Sequence, residues 1–135
     1  MKSGYQKYKK TSVESASREK LLLLMYEAAI KYVKRASAAI EQNDIAERGK
    51  NIGFAFDVIM ELNNTLDHTV GGDVATNLEQ LYMFLTEELT KANIEASRDR
   101  LVKIEEILMT LYSGWQEAIE QLKKSDNNKK AGGVK

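Results

Sequence analysis

The 135-residue chain has no cysteine, no proline, one histidine and one tryptophan. Without cysteine there are no disulfides and no thiolate metal sites, which suits a reducing cytosol. Without proline, and with Ala, Leu, Glu and Lys abundant, nothing interrupts long helices. One histidine cannot supply the two Glu-x-x-His motifs of a di-iron bundle. Its neighbour Asp67 would point about 100° away on a helix, so His68 gains no shared ligand set there. His68 is read instead as a helix-end residue that interacts favourably with the dipole. The basic start MKSGYQKYKK leads into no apolar run before a cleavage site, and no stretch approaches the ~20 apolar residues that span a bilayer. A soluble, cytoplasmic protein without membrane insertion is expected.

Gly71-Gly72 is followed by no Lys-Ser/Thr and preceded by no strand, which excludes a P-loop or dinucleotide fingerprint. The pair reads as a flexible turn between a second and a third helix. Glu87-Glu88 and Glu105-Glu106 read as solvated surface pairs, and no Ser/His/Asp arrangement stands out. No enzyme activity, metal or cofactor is expected.

Zero net charge hides an asymmetry. Residues 1–20 hold six Lys/Arg against two Asp/Glu, and residues 123–135 hold five Lys against one Asp, so each end carries +4. The middle, 21–122, holds nine Lys/Arg against seventeen Asp/Glu, or −8. An acidic body repels phosphate, so nucleic acid is not an expected partner.

Four helical segments are legible from apolar residues at spacings of three and four. The first runs from about Ser17, a candidate N-cap, to Glu41, with Leu21, Met25, Ala28, Tyr32, Ala36 and Ile40 as its stripe; Gln42-Asn43 ends it. Asp44 and Glu47 form a D-x-x-E capping box for the second, whose stripe is Ile52, Ala55, Phe56, Ile59, Leu62 and Leu66. Asp73 opens the third, with Val74, Leu78, Leu81, Tyr82, Leu85, Leu89 and Ala92 on one face. Ser97 caps the fourth, striped by Leu101, Ile104, Leu108, Leu111, Trp115 and Leu122. Residues 1–16 and 123–135 lack a sustained stripe and are expected to be a mobile or conditionally ordered arm and tail. Short connections between long helices make neighbours antiparallel. The expected fold is therefore an all-α, antiparallel up-and-down four-helix bundle over 17–122, with a short N-terminal arm (1–16) and a flexible basic C-terminal tail (123–135).

Apolar residues remain once these stripes are filled. Phe54 falls roughly opposite the second stripe's centre, and Val58 lies between it and Leu62. Met83 and Phe84 widen the third face, while Val102 and Met109 lie off the fourth. Together they suggest a second hydrophobic groove of the kind that accepts an amphipathic helix. Tyr5 and Tyr8, one turn apart among lysines, add large apolar bodies with polar tips suited to reversible docking.

Four blocks resemble the flagellar secretion chaperone family, FliS: SGYQKYKKTSVESAS at 3–17, LLLLMYEAAIKYV at 21–33, GGDVATNLEQLYMFLTEELTKAN at 71–93 and LVKIEEILMTLYSGWQEAI at 101–119. They occur in the family's order and spacing. The family's usual Ser/Thr-Pro is Ser17-Arg18 here, and Asp-Gly of its Tyr-Asp-Gly-Ala run is Glu27-Ala28. The resemblance implies a cytosolic type III export chaperone that binds the disordered C-terminal segment of flagellin, prevents premature polymerisation and delivers it to the flagellar export gate. It also implies that Tyr5 and Tyr8 belong to an arm that covers a client groove and contributes to docking on the gate. Two other readings use the same apolar surplus: a structural helical bundle that self-associates, such as a weak homodimer, and a regulator of another flagellar component.

Overall fold

In a computed structural model the chain forms four helices, α1 (Gly4–Glu41), α2 (Ile45–Asn64), α3 (His68–Glu95) and α4 (Arg98–Gly132). The structure describes the backbone of residues 4–132 and the side chains of residues 17–128; no strand occurs among the described residues. Cross-helix pairs set the direction of each helix. Glu27, Lys34 and Glu41 ascend α1 as their partners Tyr112, Glu105 and Arg98 descend α4. Tyr32 packs on Phe54, whereas the earlier Leu21 and Leu24 lie beside Thr65. Arg48 reaches Asn93, and Arg100 reaches Glu88. Every neighbouring pair is thus antiparallel. α1 and α3 each pack on both α2 and α4, completing an up-and-down bundle.

Local chemistry explains the turns. Asn43 takes a left-handed conformation, φ 56°, which Asn tolerates better than most residues. Asp44 then accepts a hydrogen bond from the Glu47 amide at 3.0 Å and caps α2. The capping box forms only halfway, because the Glu47 carboxylate accepts from Asn51 Nδ2 at 3.2 Å while the Asp44 amide donates to Ala39. At the α3–α4 turn Ala96 is left-handed, and Ser97 Oγ accepts from the Arg100 amide at 3.2 Å. Arg100 also pairs with Glu88 at 2.6 Å and Glu95 at 2.9 Å, joining the end of α3 to the start of α4.

Three sequence expectations change. Ser17 lies within α1 and caps nothing, since the backbone is helical from Gly4. No proline or glycine occurs between Tyr5 and Arg48, so nothing breaks the backbone ladder where the apolar stripe fades. The α2–α3 turn is Thr65–Asp67, not Gly71-Gly72. Asp67 caps α3 by accepting from the amides of Thr69 and Val70. These bonds, with one from the Thr69 hydroxyl first among them, hold its carboxyl below the usual carboxylate range. The glycines form a kink inside α3, where Gly72 adopts φ 51°, ψ −123°, and regular helix resumes at Asp73. His68, third, begins α3, where the positive dipole end disfavours a cation. Its Nε2 lies 3.0 Å from Glu79 Oε2. Residues eleven apart in a straight helix would be separated by roughly 16 Å, so the kink makes this pair possible.

The core contains Tyr26, Ala29, Val33 and Ala36 of α1, Ile52, Ala55, Ile59 and Leu62 of α2, Tyr82, Leu85, Leu89 and Ala92 of α3, and Leu101, Ile104 and Leu108 of α4. Across it the Tyr26 and Tyr82 hydroxyls hydrogen-bond at 2.5 Å, and Trp115 Nε1 donates to Tyr26 at 3.1 Å. This ladder links three helices and gives their buried polar atoms partners. Burial pushes both tyrosine hydroxyls above their ordinary pKa.

The helices differ greatly in length. α1 has 38 residues and α4 has 35, against 20 for α2. At 1.5 Å per residue, α1 is roughly 57 Å long and α2 roughly 30 Å. The first part of α1 and the last part of α4 therefore extend past the Thr65–Asp67 turn.

Candidate functional site

Over its first half the stripe expected on α1 is rotated by one residue, about 100°, whereas Ala36 is buried in the core as expected and Ile40 packs against it. Tyr26, Ala29 and Val33 are the buried core positions there, while Met25 and Tyr32 pack half-buried against the core's edge and Ala28 is half-buried. This rotation turns large apolar side chains outward. Leu21 is 56% exposed and Leu24 is 48% exposed. With Met25, Ala28, Asp57, Val58, Glu61 and Thr65 they line a groove of about 630 Å³ between α1 and α2. Tyr32 and Phe54 extend the apolar surface along the same seam, their ring centroids 5.1 Å apart. The amines of Lys31 and Lys50 stand over these rings, at 5.2 and 6.0 Å.

The other side of α1 borders a second groove, about 490 Å³, against α4. Ile30, Met109 and Tyr112 supply its apolar surface, with Glu27, Lys31, Lys34, Arg35 and Ser113 around it. The Tyr112 hydroxyl donates to Glu27 Oε1 at 2.7 Å, and this bond to a carboxylate raises the pKa of the phenol. A smaller cavity, about 280 Å³, lies where the α2–α3 turn meets Trp115, with Val70 and Val74 at its rim.

The residues singled out in the sequence divide among these surfaces. Phe54, 41% exposed, and half-buried Val58 lie on the α1–α2 seam. Leu62, only 1% exposed, is a core residue that supports this seam from beneath and has no surface of its own to offer. Its place in the i, i+3, i+7 core series with Ile52, Ala55 and Ile59 accounts for that. Met109 lines the α1–α4 groove, and Val102 lies farther along the same seam beside Glu41 and Arg98. Met83 is half-buried and Phe84 exposed on α3, outside both grooves. Tyr5 and Tyr8 belong to the first turns of α1, and their side chains lie outside the described residues. Val74 and Leu122, expected in core stripes, are exposed: Val74 rims the kink cavity, and Leu122 follows the last α4 core position, Ile119.

Leu21, Leu24, Ile30 and Tyr112 were absent from the sequence-derived site. A run of four leucines at 21–24 places one every 100° around the helix, so at least one must face away from the core. That signal was available. Which leucine faces out was not, because the run satisfies every phase of the helical period.

Among the described residues no group of three His, Cys, Asp or Glu is placed to hold a metal ion, and no helix is long and apolar enough to cross a membrane. The arrangement can receive apolar side chains from another polypeptide along either side of α1.

Comparison with known proteins places this architecture. Residues 1–122 match the family model described as flagellar protein FliS. A flagellar secretion chaperone FliS from Vibrio cholerae is 35% identical over 121 residues, covering 87% of this chain and 89% of the relative. One from Campylobacter jejuni is 32% identical, covering 84% of this chain and 89% of its own length. One from Bacillus subtilis is 26% identical over 134 residues, covering 99% and 98%. The match through residue 122 and a relative 35% identical over most of both chains agree: the chain belongs to the FliS family of flagellar proteins.

Proposed function

We propose that this protein is a cytoplasmic flagellar secretion chaperone that binds the C-terminal segment of flagellin along the α1–α2 seam. Bound there, the segment is kept from premature polymerisation and carried to the export gate. The observation that carries this reading is the outward exposure of Leu21 and Leu24 in one groove, with Phe54 exposed beyond it against Tyr32 on the same seam. From Leu21 to Tyr32 the seam spans roughly 17 Å, about three helical turns. It suits an amphipathic client helix with apolar residues at i, i+3/i+4 and i+7.

Magnitudes require more than one contact region. Completing the burial of two half-exposed leucines contributes on the order of 2 kcal/mol. Ordering a disordered client segment costs about 2–5 kcal/mol or more. A client held only at this groove would bind poorly, so the segment wraps onto further apolar surface, for which Phe84 and Met83 on α3 are candidates. In this reading residues 1–16 are an arm carrying Tyr5 and Tyr8 toward the gate, residues 17–122 are the chaperone domain, and residues 123–135 are a basic tail.

Calorimetry and light scattering with a C-terminal flagellin segment test the proposal. A stoichiometric heteromeric complex is expected, and deletion of residues 1–16 should leave the bundle folded without abolishing binding. A folded protein that only self-associates and ignores flagellin would overturn the client reading in favour of a dimerising bundle.

A further inference from the structure

The grooves on the two sides of α1 have rims of opposite charge. On the α1–α2 side the charged lining residues are Asp57 and Glu61. Neither has a cation within ion-pair distance among the described residues. On the α1–α4 side they are Lys31, Lys34, Arg35 and Glu27. Glu27 already accepts from the Tyr112 hydroxyl, and Lys34 is only loosely paired, 3.9 Å from Glu105. Lys31 and Arg35, one helical turn apart, have no carboxylate within ion-pair distance among the described residues. The Arg35 charge is available to a third party, and the Lys31 amine, which stands 5.2 Å over the Tyr32 ring, has no anion to neutralise it among the described residues.

Beneath that rim the surface is apolar. Ile30 and Tyr112 are half-buried, and Met109 is 48% exposed. Methionine adapts its shape to different partners better than a branched side chain does. The seam continues past Val102 to the Glu41–Arg98 pair, where its charges are internally matched. From Glu27 to Glu41 it runs roughly 21 Å, the length of a four-turn helix.

We infer that the α1–α4 groove is a second docking site, built for an amphipathic helix of another protein whose apolar stripe is flanked by Asp or Glu. Ile30, Met109 and Tyr112 receive the stripe, and Lys31, Lys34 and Arg35 select the acidic flank. The same helix placed on the α1–α2 side would meet Asp57 and Glu61 beside Leu21 and Leu24, with Lys31 and Lys50 only at the Tyr32–Phe54 end. Like charge on the wrong groove thereby separates two partners, or two helices of one partner, that share apolar chemistry. This inference does not depend on which segment occupies the α1–α2 seam.

Two synthetic helical peptides of about 14 residues, matched to the groove length, test it. They share one Leu/Ile stripe and differ only in Glu or Lys flanks. Binding to the full chain is read by fluorescence anisotropy of the labelled peptide. The Glu-flanked peptide should bind the wild type about tenfold more tightly than it binds a K31E/R35E variant, an effect that added salt shrinks. K31Q/R35Q should give an intermediate affinity, and both variants should keep wild-type circular dichroism. Met109→Asp should abolish binding of the Glu-flanked peptide, while Leu24→Asp leaves it unchanged. Equal affinity of both peptides for the wild type would overturn the inference. So would an unaltered preference in K31E/R35E, or loss of Glu-peptide binding through Leu24→Asp with Met109→Asp silent. Because no flagellin is present, these outcomes stand apart from success or failure of the client proposal.

Discussion

The inner and outer faces of α1 distribute bulk in opposite ways. Inward lie Tyr26, Ala29, Val33, Ala36 and Ala39, fully or nearly fully buried and mostly small. Outward lie Leu21 and Leu24, with half-buried Met25, Ala28 and Tyr32 beside them. Small residues let neighbouring helices approach closely, and one large side chain, Tyr26, spans the centre to reach Tyr82 and Trp115. The leucines are thus surplus to the fold. Hydrophobicity on this helix divides between a packed face and an exposed one, and the comparison predicts that substitutions separate them.

The largest effect belongs to the inner face. Tyr26→Ala removes a fully buried ring and both hydrogen bonds of its hydroxyl. We expect a loss of about 3–5 kcal/mol, the range for truncating a buried aromatic, read as a lower denaturation midpoint. A change below about 1 kcal/mol would show that the core does not depend on this face.

Next in size is the kink of α3. Gly72 combines φ 51° with ψ −123°, a region that side chains disfavour even where space is open, and no atom would crowd an added Cβ. Gly72→Ala should therefore cost about 1–3 kcal/mol from backbone strain alone. Gly71 is constrained differently: a Cβ there would come within 2.9 Å of Ala75 Cβ. Wild-type stability for Gly72→Ala would mean that the kink straightens without cost, and the His68–Glu79 pair would then separate.

These positions show what pattern reading reached. The helix number, the caps at Asp44 and Ser97 and the α2 core face followed from periodicity and short polar residues at the turns. The face of α1 followed at Ala36 but not before it, because Leu21 to Leu24 fill every phase and adjacent Ala28-Ala29 offers no contrast. Only packing chooses Tyr26. Two glycines carry the same signal in a turn and in a kink, so the pattern alone does not separate the two settings. Asp67, the cap that ends the turn earlier, is a single polar residue in a polar stretch and carries no pattern of its own. The opposed rims of α1 required knowledge of which helices flank it.

A smaller effect is expected from the tyrosine ladder. Tyr82→Phe removes one hydroxyl from the Tyr26–Tyr82 pair and should cost about 0.5–1.5 kcal/mol near neutral pH. Both phenols are raised above the ordinary value of 10.0, chiefly by burial. Their neutral forms therefore stabilise the fold fully below that value. The contribution is lost as pH rises above it, because the unfolded chain ionises first. Wild-type stability should fall with pH in that alkaline range, and the Tyr26→Phe/Tyr82→Phe double variant should fall less steeply. Identical slopes in urea titrations would remove the ladder from the account.

The smallest effect on stability should come from the outer face, and there the contrast is most easily broken. Leu24 is 48% exposed, so Leu24→Asp deletes little buried area and introduces a charge that water can solvate. Stability should change by no more than about 0.5 kcal/mol, as for surface substitutions generally. A partner helix would instead have to bury the new carboxylate against Asp57 and Glu61 on the same groove. Affinity for the flagellin segment should therefore fall at least about tenfold, equivalent to roughly 1.4 kcal/mol. Phe54→Asp should follow the same course with unchanged circular dichroism. If Leu24→Asp unfolds the protein, the leucine belongs to the core after all. If it folds and binds flagellin as well as the wild type, the client lies elsewhere on the bundle. Only separate responses of stability and affinity would show that one helix carries both a packed face and a receiving one.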